Sequence, residues 1–176
     1  MIFKETKFKG AYLIDLEKNK DERGFFARSF CEKEFVTHNI KLLIKQSNIS
    51  YNKRKGTLRG MHYQVAPHEE AKLVSCFRGA IYDVIIDLRL NSPTYCKWLA
   101  VELSAQNYIS FYIPKGFAHG FQTLAPDTIV FYQMSEFYHP ESAGGIRWDD
   151  PAFLIDWPSD NQIIDDKDKT YPLFNK

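Results

Sequence analysis

Between Arg59 and Lys72 the chain reads RGMHYQVAPHEEAK, which brings a guanidinium, an imidazole, a phenol and an ammonium into one short stretch. On two neighbouring β-strands such groups can converge on a single cavity. A base, His62, with cations beside it to hold an anion, is what removal of a proton next to a carbonyl requires. The plainer reading is a half-exposed hairpin with polar decoration, and these residues alone leave both open. Arg59 precedes His62 by three positions, a spacing that sends the two side chains to opposite faces of a regular strand. Gly60 between them offers a place for a bulge that re-aims one of them. Lys72 reads either as a strand-start lysine with its ammonium in water, or as a cation that holds a phosphate or an enolate oxygen.

Other segments carry further candidates. Arg23, in DERGFFARSF, has the same two readings, a solvated cation or one that binds phosphate bidentately, and Phe25 and Phe26 supply either a stacking surface for a base or one side chain for the core. In IPKGFAHGFQTL, from Ile113, Gly116 and Gly120 flank His119 and permit close approach of backbone to a ligand. Tyr132, Met134 and Tyr138 share the parity of Val130. If that face lines the cavity, Tyr132 presents a phenol to it; otherwise it is a buried tyrosine with a satisfied hydroxyl. Metal-binding barrels of this type pair two histidines two residues apart with a carboxylate and a third histidine. Here Gln64 occupies the second position, and His62 with His119 is too thin a set, so no metal centre is expected.

The elements that must position these groups are mostly strands. In AIYDVIIDLRL, residues Ala80, Tyr82, Val84, Ile86 and Leu88 share one parity, while Asp83, Asp87 and Arg89 fall on the other, which predicts a strand with one wet face. WLAVELS from Trp98, YISFYI from Tyr108 and TIVFYQMSEFY from Thr128 repeat the theme, separated by Asn91-Ser92-Pro93, Pro114-Lys115-Gly116 and Ala125-Pro126-Asp127. Helix signals are sparse: one short helix in CEKEFVTHNI from Cys31, another from about Asp165 to Thr170. Neither a linker nor a repeat interrupts the 176 residues, so a single domain over 1–176 is expected, an all-β sandwich or barrel whose mouth can hold one ligand.

Composition narrows the partners. A net charge of +1 gives no broad footprint for nucleic acid or an anionic membrane, though it leaves room for a locally basic pocket that takes a phosphorylated ligand. Three cysteines without C-x-x-C spacing suit a reducing cytoplasm. The Lys- and Glu-studded start has no long apolar run, so a soluble cytoplasmic protein is expected.

Taken together, DERGFFARSF, Gln46-x-Asn48, KGTLRGMHYQ, KLV with Lys72, GAIYDVIIDLR, NSPTY, IPKGFAHGF, VFYQMSEFYHPES, GIRWDDP, IDWP and the late DDKD resemble the dTDP-4-dehydrorhamnose 3,5-epimerase family, in family order over nearly the whole chain. The resemblance implies a cupin-like jelly-roll β-barrel that forms a homodimer and works without metal or organic cofactor on a nucleotide diphosphate sugar. It implies that N-terminal strands reach across to the partner subunit's pocket.

Position by position, it implies that His62 is the base that removes protons from C3 and C5 of a 4-keto sugar. Asp168 would orient that histidine, Tyr132 return a proton to the opposite ring face, and Lys72 steady the C4 enolate oxygen. Arg23, Arg59 and His119 match positions that bind diphosphate and sugar. Gln46, Asn48, Tyr138 and Phe26 match the nucleoside side, and Glu141 in HPES and Lys167 in DDKD match further substrate-binding positions. Two residues depart from the family pattern. Arg28 stands where a glutamate is usual in the nucleoside pocket, and Gln133 follows Tyr132 where a lysine is usual. Both bear on which nucleotide is read and on whether both carbons are inverted. The alternatives are a 3- or 5-only epimerase, a keto-sugar isomerase, a non-catalytic sugar-binding barrel and a metal-dependent oxygenase of the same fold.

Overall fold

The computed structural model describes residues 1–160 and 162–175. Two six-stranded sheets face each other. The first runs β1 (Ile2–Glu5), β2 (Tyr12–Asp15), β10 (Ser110–Ile113), β7 (Lys72–Arg78), β12 (Thr128–Met134), β5 (Gln46–Asn52). The second runs β13 (Ala143–Gly145), β6 (Thr57–Gln64), β11 (Phe117–Thr123), β8 (Ala80–Asp87), β9 (Trp98–Ser104), with β14 (Ile163–Ile164) lying parallel along β6. All other pairings are antiparallel. The eight strands β5 to β12 divide between the sheets in the order 5-12-7-10 and 6-11-8-9, which is a jelly roll. A separate hairpin, β3 (Asn19–Asp21) with β4 (Gly24–Phe26), stands off both sheets. The two expected helices are present as α1 (Glu32–Thr37) and α2 (Asp166–Lys169). None of the described helices is long and apolar enough to cross a membrane.

The space between the sheets is apolar at one end only. There Val74, Cys76, Phe111, Ile113 and Val130 of the first sheet meet Ile81, Ile85, Leu103, Phe117 and Phe121 of the second. Burial of such side chains contributes roughly 1.5–3 kcal/mol each. A second cluster covers the back of the second sheet, where Leu58, Met61, Val84, Ile86 and Ala118 pack under Ile146, Phe153 and Trp157. The indole N–H groups of Trp98 and Trp157 donate to the carbonyls of Phe153 and Trp148, pinning that covering segment. A third cluster seats α1 through Phe35 against Ile14, Leu73 and Tyr112.

β8 does not have the wet face that its alternation suggests. Both of its faces are covered, and Asp83 and Asp87 are fully buried. Asp83 looks into the inter-sheet space with Ile81 and Ile85, whereas Asp87 organises the following turn. Burial opposes the charge on Asp87. Hydrogen bonds from Arg89, Ser92 and Thr94 outweigh it and hold the carboxyl at about 2. Because this pKa lies below the ordinary aspartate value, the ionised form stabilises the fold above about pH 4, and that contribution is lost as pH falls toward the folded value. Asp87→Asn is therefore expected to cost about 2–3 kcal/mol at neutral pH, with the gap to the parent chain closing between about pH 4 and 2. Urea unfolding across that range checks it; a gap independent of pH would refute it.

Candidate functional site

The spacing of Arg59 and His62 is resolved at Gly60. Its φ of +123° is open to glycine and rarely adopted by other residues, and the β6–β11 register shifts between His119 and Phe121. A Cβ on Gly60 would lie 2.5 Å from Gly120 Cα. This irregularity breaks the two-residue alternation of β6. Leu58 and Met61, three apart, both enter the cluster on the back of the sheet, and Arg59 and His62, three apart, both line the cleft on the front.

The polar end of the inter-sheet space is that cleft. One lobe, about 340 Å³, is lined by Arg59, His62, Lys72, His119, Phe121 and Tyr132, together with residues 49–51 of β5. An adjoining lobe of about 370 Å³ shares His62, Lys72 and Tyr132 and continues past Gln46, Asn48, Met134 and Tyr138 to Lys167 and Tyr171. Pairing explains the clustering. His62 lies opposite His119 across β6–β11; Tyr132 lies opposite Asn48, and Met134 is flanked by Lys72 and Gln46. His62 and Tyr132 thus face each other from different sheets. Arg59 is held by its Nε–H donating to Asn52 Oδ1 at 2.8 Å, and the Tyr138 amide donates to Gln46 Oε1 at 3.0 Å.

Two histidine–carboxylate pairs stand side by side. His62 Nε2 is 2.7 Å from Asp168 Oδ1, while Asp168 Oδ2 accepts from the Gly60 amide at 3.0 Å. Burial pushes the Asp168 carboxyl up. The His62 hydrogen bond and charge, the Gly60 amide and Lys167 more than reverse this, so it sits below the ordinary value and stays ionised. His119 Nε2 is 2.7 Å from Asp83 Oδ1. Complete burial raises the Asp83 carboxyl against the opposing pull of His119 and Lys72. Lys72 is itself buried, ion-paired with buried Glu70. Burial raises the Tyr132 phenol although the Arg59 charge works against it, so at neutral pH it is a protonated acid.

Most of the residues singled out from sequence meet here: His62, Asp168, Lys72, Tyr132, Arg59, His119, Gln46, Asn48, Tyr138 and Lys167. Three do not line the cleft within this chain. Arg23 is ion-paired to Asp21 on the free hairpin, Phe26 is 77% exposed beside it, and Arg28 is paired with Glu34. Glu141 sits on the rim, bonded to His139. Neither Phe25 nor Phe26 enters the core. Gln64, in the position of a second metal-binding histidine, spends its amide on backbone groups of His68, Phe137 and His139. Asp83, Glu70 and Tyr171 escaped the sequence reading. The parity of Asp83 with Ile81 and Ile85 was the available signal. Tyr171 stacks edge-on to His62 in space that only a glycine at 145 leaves free.

A jelly-roll barrel whose open end carries an oriented imidazole, a phenol and a buried ammonium belongs with the cupin-like proteins, in a subset built for moving protons. Comparison with known proteins narrows this further. The family model for dTDP-4-dehydrorhamnose 3,5-epimerase matches residues 5–176. A protein of that name from Methanothermobacter thermautotrophicus is 45% identical over 172 residues, spanning 96% of this chain and 92% of the relative. The Bacillus anthracis epimerase, crystallised with TDP and PPi, superposes with a TM-score of 0.95 at 42% identity, covering 98% of this chain and 99% of that one. The Legionella pneumophila enzyme in complex with dTDP-4-keto-L-rhamnose superposes with a TM-score of 0.91 at 40% identity, over 98% and 92% of the two chains. The chain belongs to the dTDP-4-dehydrorhamnose 3,5-epimerase family.

Gly60→Ala tests the strand geometry beneath the site. A methyl at that φ, pressed against Gly120, is expected to cost about 2–4 kcal/mol in strain and overpacking. Equilibrium urea unfolding measures it, and a loss under about 0.5 kcal/mol would contradict the close approach of β6 and β11.

Proposed function

We propose that this chain inverts C3 and C5 of a dTDP-4-keto-6-deoxyglucose-type substrate, making the rhamnose-configured 4-keto sugar. One observation carries the reading: His62, oriented by Asp168, and protonated Tyr132 confront each other from opposite sheets across a cleft that also holds Lys72. His62 takes the proton from the carbon beside the ketone, and the C–H electron pair moves into the carbonyl to leave an enolate at the C4 oxygen. A proton alpha to a ketone is too weakly acidic for an imidazole unless that oxygen is stabilised as charge develops, and the fixed ammonium of Lys72 supplies this. Tyr132 then delivers a proton to the opposite face of the same carbon, and solvent restores both groups. Asp168 holds the tautomer of His62 and offsets the positive charge it acquires. No organic cofactor or metal is needed for these steps.

Binding roles follow from position. Arg59 and His119, which line the first lobe, suit the sugar and diphosphate. Gln46, Asn48, Tyr138 and Lys167, lining the second lobe, suit the nucleoside, with Glu141 at its rim. Burial is not what shifts Lys167 most: the Tyr171 and Tyr138 oxygens raise its ammonium, keeping it charged for an anionic ligand. Arg23 and Phe26 project from the β3–β4 hairpin and Arg28 follows it, paired with Glu34, and none of the three lines the cleft of its own chain, which supports a homodimer in which this segment completes the partner's nucleoside pocket. Arg28 then brings a cationic donor to that pocket.

The test is solvent exchange. In deuterated water the protein should introduce deuterium at C3 and at C5 of dTDP-4-keto-6-deoxyglucose, read by NMR. His62→Ala should slow both by about 10²–10⁴-fold with the fold intact. Exchange at one carbon alone would reduce the assignment to a single-site epimerase, and undiminished exchange in His62→Ala would remove His62 as the base.

A further inference from the structure

We propose that His68, His139 and Glu141 form a binding site for a divalent transition-metal ion of the zinc type, on the rim of the cleft and apart from the reacting groups. Each of the three offers a ligand atom, and these atoms all lie within 4.8 Å of one another. His139 Nδ1 and Glu141 Oε1 are hydrogen-bonded at 3.0 Å, a few tenths of an ångström inside the roughly 3.4 Å between two ligands on a tetrahedral zinc ion with bonds near 2.1 Å. The His68 and His139 rings lie face to face at 3.6 Å with 8° between their planes. Bringing the third atom to ligand spacing requires a closure of only about 1.5 Å.

The backbones beneath these side chains are held in advance. A single buried side chain, Gln64, donates from Nε2 to the His68 carbonyl at 2.7 Å and accepts at Oε1 from the His139 amide at 2.6 Å. The Ser142 hydroxyl bonds His68 Nδ1 at 2.9 Å, and the Ser142 amide donates to the His139 carbonyl at 3.0 Å. The two histidines come from loops about seventy residues apart in sequence, yet one glutamine spaces them. A metal site needs this kind of outer support to keep its ligands aimed. Parallel rings send their lone pairs side by side, so ligation tilts them out of the stack. His139 and Glu141 have room to turn, with side chains 29% and 65% exposed.

Chemistry favours a borderline cation. Two imidazoles and one carboxylate match the donor preference of zinc and its neighbours and would serve calcium or magnesium poorly. Three protein ligands leave one position for water. A bound ion would tie the turn after β6 to the turn after β12. Tyr138 and Gln64, which line the nucleoside lobe, flank those turns. Glu141 is shared with the rim of the nucleoside lobe, whereas His68 and His139 have no part in the reaction assigned to the cleft.

Zinc binding to the metal-stripped full chain tests this, by isothermal titration together with competition against a chromophoric chelator. The expected result is one equivalent of Zn²⁺ per chain, an upward shift of Tm at saturating zinc, and a cobalt derivative with the intense visible absorption of a four-coordinate site. The double variant His68→Ala/His139→Ala should lose that equivalent and the zinc-dependent Tm shift, while its metal-free Tm matches the parent. Glu141→Gln should weaken binding about tenfold or more, in line with loss of a charged ligand. Equal zinc uptake by the parent and the double variant, or no saturable uptake by the parent at 100-fold excess over chelator-buffered micromolar zinc, would overturn the proposal.

Discussion

The bond between His62 and Asp168 joins parts of the chain 106 positions apart, and the site is built around it. The same carboxylate accepts from the Gly60 amide, at the point where β6 departs from regular pairing. The regular structure that delivers Asp168 is slight: a two-residue strand beside β6 and a single turn of helix. That segment is fastened by the carboxylate, by Tyr171 in the space left by Gly145, and by Ile164 and Phe174, which pack on the second cluster while the Phe174 amide donates to Asp150. A buried carboxylate without partners is costly. Docking of the C-terminal segment therefore also orients the imidazole.

The cleft exists because the space between the sheets is filled unequally. At one end ten apolar side chains from both sheets close it. At the other, the strands contribute polar and ionisable groups, and three of these are held by a neighbour: Lys72 by Glu70, His119 by Asp83, Arg59 by Asn52. The pairs lock side chains in place before substrate arrives, so little reorganisation is left for the reaction. Among the described residues, one oxygen of Glu70 and one of Asp83 have no hydrogen-bond partner, which leaves acceptor capacity next to Lys72 and His119.

Strand positions, and the candidacy of His62, Lys72 and Tyr132, were legible because alternation and residue chemistry are local properties, whereas Asp168 entered only through resemblance to the family. β9 and β12 begin where their apolar runs begin, and α1 falls within the short helix read from Cys31. Asp83 and Asp87 were misread for a physical reason: alternation reports polarity, and a buried carboxylate that finds a histidine or an arginine looks the same in sequence as a solvated one. The sharing of one cavity by Arg59 and His62 depended on a backbone conformation at Gly60, which a sequence can permit but not reveal. Roles that require a second subunit, as for Arg23, Phe26 and Arg28, are invisible in strand periodicity. Resemblance to the family supplied them.

The central claim is that base and acid act from opposite sheets on opposite faces of one carbon. It is tested most directly by measuring solvent deuterium exchange and configurational inversion in the same sample of Tyr132→Phe. With His62 intact, the account predicts that exchange continues, because the imidazole can remove a proton and return a deuteron to the face it left. Inversion, which needs the phenol, should fall by about 10²-fold or more. Parallel loss of exchange and inversion, or inversion at the parent rate, would contradict it.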